Sequence, residues 1–107
     1  MEEKKLCHIF KWRDRKGNFH APRDMETHHL FFTLRMIWNH SAPEELKILP
    51  YKKYAFSSFY TPQYVREAVR YLCRELSLRT DLTPYFRRCL VHMQSVLENR
   101  RTVDGGI

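Results

Sequence analysis

The sequence predicts a mainly α-helical protein, with three long helices around one core, a short helix and a small N-terminal β-hairpin. Apolar residues recur at helical spacing in three segments, and two of these segments begin with a Thr-Pro pair. The chain has 107 residues, of which 43% are hydrophobic, so it is large enough and apolar enough to fold around one hydrophobic core. We therefore expect a single domain over 1–107, with residues 1–5 and 102–107 held loosely.

The hairpin is predicted from the period-two alternation of residues 6–12, which places apolar side chains on one face of a strand. Residues 13–18 form the turn, because their Gly-Asn pair tolerates positive φ, and residues 19–21 form a short returning strand. A two-stranded hairpin is marginal on its own in water. We therefore expect Phe10 and Trp12 to pack on the helices.

The central helix is predicted over residues 27–40, within an apolar stretch that runs from 24 to 41. Asp24 or Thr27 is expected to cap its first turn. Phe32 and Met36 cover much of the side opposite its main apolar face, so other elements must cover this helix. The main face consists of Leu30, Phe31, Leu34, Ile37 and Trp38, of which Leu34 and Trp38 are expected to be among the least exposed.

Two segments connect this helix to the second half of the chain. Residues 41–44 have the pattern of a capping box, which predicts a short helix over 43–48. Residues 51–60 carry five aromatic residues with no clean period, and we interpret them as a loop packed over the core. Surplus aromatic surface there favours a homodimer.

Two further helices are predicted over 62–79 and 84–100. Thr61 and Thr83 each precede a proline, the pattern of a capping hydroxyl followed by proline at the first helical position. The short connection between the helices favours antiparallel packing. The predicted core faces are Val65, Ala68, Val69, Leu72, Cys73 and Leu76 on the first, and Phe86, Cys89, Leu90, Met93, Val96 and Leu97 on the second.

The formal net charge of +7 is concentrated in the second half of the chain. Residues 52–101 carry ten Lys and Arg against four Asp and Glu, and eight of these cations are arginine, which forks onto phosphate oxygens. The three cysteines are widely spaced. We expect neither a signal peptide nor a membrane-spanning segment. Reduced thiols in the cytoplasm are therefore expected.

The candidate binding site is a row of arginines on the second long helix. Arg66, Arg70 and Arg74 recur every four residues, with Arg79 about one turn beyond. Glu67 and Glu75 could pair with these arginines at three and four residues, which would make the row a salt-bridged, solvated face instead. As a binding site, the row would hold phosphate while nearby tyrosines stack on a base. The other candidate ligand-binding residues are Lys52, Lys53, Tyr64 and Tyr71.

The sequence does not favour an enzyme or a metal site. No pair of cysteines or histidines has the spacing of a structural zinc site, and no glycine-rich phosphate loop is present. Asn39, His40 and Ser41 lack the strand and turn that would hold a catalytic group, and His40 is better explained by the helix dipole. We expect no catalytic residue, no metal and no cofactor.

One part of the sequence resembles a known group of proteins. Trp12, Gly17, Asp24-Met25, Thr27, His29-Leu30 and 34–37 form a pattern that is similar to that of small uncharacterised proteins of tailed bacteriophages and prophages. The resemblance covers about a quarter of the chain and implies a viral source and a hairpin leading into a helix. Phe32 stands where those proteins are expected to have a small polar residue.

A phage source implies, by analogy, an accessory protein that counters host defence in the host cytoplasm. Our first hypothesis is a non-enzymatic protein that binds an anionic ligand, such as a nucleotide immune signal, or that blocks a nucleic-acid-handling defence complex. A chain with a net charge of +7 suits an anionic ligand and excludes mimicry of DNA. The alternatives are a DNA- or RNA-binding protein and an inhibitor that docks on a host protein. No contact with a membrane is expected.

Overall fold

The computed structural model describes residues 10–48 and 56–106, with the backbone alone at Glu44 and at 100–106. It confirms a mainly α-helical fold with three long helices and a small N-terminal hairpin. None of the helices it describes is both long and apolar enough to span a membrane. The elements are strand β1 (Trp12–Arg13), strand β2 (Phe19–His20), a 3₁₀ turn (Pro22–Asp24), helix α1 (Thr27–Ser41), a second 3₁₀ turn (Glu44–Leu46), helix α2 (Pro62–Ser77) and helix α3 (Pro84–Gly106).

Helix α1 occupies the centre of the core, as predicted. Leu30, Phe31, Leu34 and Ile37 are completely buried, and Trp38 is 4% exposed. The opposite side of the helix is less enclosed than we expected, because Phe32 remains 36% exposed. The guanidinium of Arg35 lies 4.7 Å from the centre of the Phe32 ring and covers part of it.

The start of α1 differs from the prediction, since neither Asp24 nor Thr27 caps it. The cap position is occupied by Glu26, whose side chain makes no capping hydrogen bond. The hydroxyl of Thr27 has other partners: it donates to Asp81 Oδ1 at 2.8 Å and accepts from Arg79 Nη1 at 3.0 Å. Thr27 therefore ties the start of α1 to the chain that follows α2.

The segment after α1 is held by side chains of α1. Asn39 donates from Nδ2 to the carbonyl of Ile48, and its Oδ1 accepts the amide of the same residue, at 2.9 and 2.7 Å. Trp38 Nε1 donates to the carbonyl of Leu46 at 2.9 Å. A helix over 43–48 was predicted, but only residues 44–46 form a 3₁₀ turn. A longer helix does not form because the side chains of α1 bond the backbone groups of Leu46 and Ile48. The Ser41 hydroxyl donates to the carbonyl of Ile37 and caps nothing.

Helices α2 and α3 begin where the Thr-Pro pairs predicted. Thr61 Oγ1 accepts the amide of Tyr64 at 3.1 Å, and Thr83 Oγ1 accepts the amide of Phe86 at 3.0 Å. All six residues of the predicted α2 core face are buried, whereas on α3 only Cys89, Leu90 and Met93 are fully so.

The ends of these helices were less well predicted. Helix α2 ends at Ser77, two residues before the predicted boundary, with Leu78 as its cap. Helix α3 continues to Gly106, so residues 102–106 are helical where a loose tail was expected. Adding a residue to an existing helix gains a hydrogen bond without new nucleation. A helix can therefore continue beyond the last residue of its apolar pattern.

The hairpin is shorter than predicted and is anchored by α2. Each strand has two residues, with Arg13 paired to Phe19, and residues 6–9 of the predicted first strand lie outside the described residues. Gly17 has the positive φ, 91°, that its turn requires. Phe10 and Trp12 are buried, as expected, and each stacks on a tyrosine of α2.

Leu34→Ala should lower the free energy of unfolding by about 2–5 kcal/mol, because it opens a cavity in a fully buried site. Leu78→Ala is the matched control: Leu78 is 70% exposed, and the change should be about 0.5 kcal/mol or less. Urea denaturation of both variants measures the difference. Equal effects would mean that α1 does not organise the core.

Acid should weaken the hairpin through Asp14. His20 Nε2 donates to its carboxylate, as do the amides of Asn18 and Lys16, and these bonds lower the pKa of Asp14 from 3.8 to about 2. A carboxyl with a depressed pKa in the folded state stabilises that state above its unfolded pKa, and the contribution is lost as the pH falls through about 2.

The measurement is the difference in unfolding free energy between the wild type and Asp14→Asn as a function of pH. The difference should be nearly constant just above about pH 5, where the unfolded carboxyl is ionised, and shrink between about pH 5 and 2. A difference that does not change with pH would show that the Asp14 carboxylate does not support the turn.

Candidate anion-binding groove

An open groove of about 1220 Å³ lies between the C-terminal part of α1, the length of α2 and the C-terminal part of α3. Buried and half-buried apolar side chains form its floor, and polar residues from α1 and α3 lie at its edges. The predicted arginine row lines it along α2. The floor includes Trp38, Val65, Val69, Cys73, Val96 and Leu97, and the polar lining includes His40, Ser41, Arg66, Arg70, Arg74, Gln94 and Glu98.

The sequence of α2 explains why arginines and apolar residues meet here. Each arginine of the row directly follows a residue of the floor, in the pairs Val65-Arg66, Val69-Arg70 and Cys73-Arg74. Successive residues of a helix are rotated by about 100°, so a buried residue is followed by one that points toward solvent beside it. At a rise of 1.5 Å per residue, neighbouring arginines are separated by about 6 Å along the helix.

The three arginines are exposed and carry unneutralised charge. Among the side chains that the structure describes, no carboxylate lies within ion-pairing distance of Arg66, Arg70 or Arg74. Glu75 accepts from Arg79 Nε at 3.1 Å, which is the predicted pair at four residues, and this pair lies about one turn beyond the three arginines. Glu67, three residues before Arg70, makes no ion pair with a described side chain, so no carboxylate of α2 neutralises the row.

The groove is not uniformly positive. Glu98 lines it from α3, opposite the arginines. The described lining residues thus carry three cations and one carboxylate, with His40 at the end of α1. An anion would therefore be held nearer to α2 than to α3.

The two tyrosines predicted beside the row have a different position. Neither Tyr64 nor Tyr71 lines the groove. The Tyr64 hydroxyl donates to the carbonyl of Lys11 at 2.7 Å and accepts the amide of Arg13 at 2.9 Å, while Tyr71 stacks on Phe10 with ring centres 5.2 Å apart. Burial raises the pKa of Tyr64 above its ordinary value of 10.0, so the phenol remains a neutral donor. Both tyrosines anchor the N-terminal segment.

Other aromatic side chains lie at the groove instead. His40 stacks on Phe56 with ring centres 3.9 Å apart and planes inclined by 11°, and Tyr60 lines the groove beside Pro62. No local pattern indicates this pairing, because Phe56 lies sixteen positions after His40 in the chain. Lys52 and Lys53 lie outside the described residues.

The groove lining includes a cysteine beside its arginines and apolar residues. No group of three or more His, Cys, Asp or Glu that could hold a metal occurs among the described residues. Cys73 is a free, buried thiol, and burial raises its pKa to about 12. What the groove offers a ligand is guanidinium donors beside an apolar floor.

Comparisons with known protein families, curated proteins and solved structures found no match for this chain. The resemblance to phage proteins therefore stays a prediction.

The Cys73 thiol should react slowly in the folded protein. With a pKa of about 12, only about one thiol in ten thousand is ionised at pH 8, and the thiolate is the reactive form. Site-resolved mass spectrometry after iodoacetamide treatment should show modification of Cys73 in denaturant and almost none without it. Equal rates in the two conditions would mean that the groove floor is open at this position.

Proposed function

We propose that the protein binds a phosphate-bearing ligand in the groove, and that a nucleotide is the ligand class that fits best. The observation that carries this proposal is the position of Arg66, Arg70 and Arg74. All three lie along one wall of a groove and, among the described residues, none has a carboxylate partner. Guanidinium groups without partners are suited to bidentate contacts with phosphate oxygens.

The apolar floor supports a nucleotide over a simple inorganic anion. Tyr60, Val96 and Leu97 line the groove and are only partly buried, so they offer a surface on which a base and sugar would lose contact with water. The groove volume of about 1220 Å³ exceeds the range of about 300–1,000 Å³ that is usual for small-molecule sites. A ligand larger than a mononucleotide, such as a dinucleotide, is therefore compatible with the space.

The proposed mode of action is binding without chemistry. On the phage interpretation, capture of a nucleotide immune signal, or occupation of a nucleic-acid-handling defence complex, would remove a host response in the host cytoplasm. Docking on a host protein is the alternative that remains if no anion binds. A homodimer stays a prediction.

A thermal-shift screen tests the groove directly. Pyrophosphate, mononucleotides and linear and cyclic dinucleotides should be compared at equal ionic strength. A ligand at 100 times its dissociation constant stabilises the folded state by about 2.7 kcal/mol, which is a shift of about ten degrees for a domain of this size. Arg70→Glu combined with Arg74→Glu should abolish the shift.

The matched control is Arg87→Glu combined with Arg88→Glu. Both control residues are exposed, lie on α3 and are not part of the groove lining. Each double variant lowers the formal net charge from +7 to +3, so a general charge effect would weaken binding equally in both. If the two variants lose binding alike, or if no ligand shifts the wild type, the groove is not an anion site and docking on a protein becomes the better account.

A further inference from the structure

A second surface, with no residue in common with the groove lining, has exposed aromatic rings and cations that make no ion pair with a described carboxylate. Phe19 is 56% exposed and Phe59 is 41% exposed. Lys11, Arg15 and Lys16 are exposed near them on the N-terminal hairpin and its turn. We call the set of Lys11, Arg13, Arg15, Lys16, Phe19 and Phe59 the hairpin platform.

The hairpin register and the ring contacts bring Arg13, Phe19 and Phe59 to one side. Arg13 pairs directly with Phe19 across the two strands, so their side chains share a face. Trp12, the neighbour of Arg13, points to the other face and is buried. The Arg13 guanidinium lies 4.5 Å from the centre of the Phe59 ring, and the rings of Phe19 and Phe59 are 6.4 Å apart at 70°.

The charge of this surface is strongly positive. Residues 11–16 contain four cations and one carboxylate, a net charge of +3. That carboxylate belongs to Asp14, which accepts hydrogen bonds from His20 and from two amides of its own turn. Asp14 therefore closes the hairpin and leaves the cations for an external anion.

We propose that the hairpin platform binds single-stranded nucleic acid. Bases would stack on Phe19 and Phe59, while Arg15 and Lys16 contact the phosphates. Aromatic rings beside a cationic track are the features with which proteins hold single strands without reading sequence. An acidic peptide would use the cations but gain little from the ring of Phe19, and the bases of a duplex are not free to stack on it.

Fluorescence anisotropy with a labelled twelve-residue thymidine oligonucleotide tests this proposal. Phe19→Ala should weaken binding by about five- to a hundredfold, the effect of losing one base–aromatic stack. Phe19→Tyr keeps the ring and should bind like the wild type. Because Phe19 is more than half exposed, the alanine variant should retain the wild-type melting temperature, which is measured in parallel.

An abasic oligonucleotide of the same length separates stacking from charge. It presents the same number of phosphates, so the wild type should bind it more weakly than the thymidine strand, and Phe19→Ala should bind it as the wild type does. Equal wild-type affinity for the two strands, or no binding of either at low salt, would overturn the proposal. A glutamate-rich peptide that binds more tightly than the thymidine strand would also overturn it.

This proposal does not depend on the groove. In the Arg70→Glu and Arg74→Glu background, Phe19→Ala should still weaken binding by the same factor as in the wild type. If Phe19→Ala no longer weakens binding of the oligonucleotide in that background, the α2 arginines hold the oligonucleotide and the hairpin platform is not a separate site.

Discussion

Burial of the apolar surface of α1 is the constraint on which the rest of the structure depends. Leu30, Phe31, Leu34 and Ile37 have no exposed surface, so other elements must pack closely around this helix. Helix α2 supplies most of that cover with an apolar stripe that is buried along its whole length. Once this stripe lies in the core, the adjacent arginine row of α2 can only point toward solvent, beside the groove.

A second consequence follows from the end of α2. Arg79 donates to Glu75, to the hydroxyl of Thr27 and to the carbonyl of Pro22, at 3.0–3.1 Å. These bonds connect the end of α2 to the start of α1. They also include the Glu75 carboxylate, so the last turn of α2 and the start of α1 share one hydrogen-bonded cluster.

Much of the fold could be predicted from local signals in the sequence. The helical spacing of apolar residues identified all three helices, and Thr61 and Thr83 located two helix starts, because capping depends on residues three or four positions apart. The arginine row was predictable for the same reason. Contacts between distant residues were not: Tyr64 bonds to Lys11, 53 residues away, and that contact takes the tyrosine out of the site.

The misplaced details share one physical cause. Thr27 and Ser41 each have a hydroxyl that a local pattern assigned to a helix cap, and each hydroxyl bonds to another group in the folded chain. Asn39 and Ile48, nine residues apart, pair through an amide side chain that no periodicity reveals. Periodicity reports which side chains are buried, whereas the partners of polar groups depend on the tertiary fold.

The proposal that the α2 arginines act together as an anion site can be tested by nuclear magnetic resonance of the arginine Nε–Hε groups during a titration with pyrophosphate. Saturable shifts are expected at Arg66, Arg70 and Arg74, with one shared dissociation constant and with Arg87 and Arg88 unchanged. Weak shifts of similar size at all exposed arginines, without saturation, would mean that the groove is not an anion site.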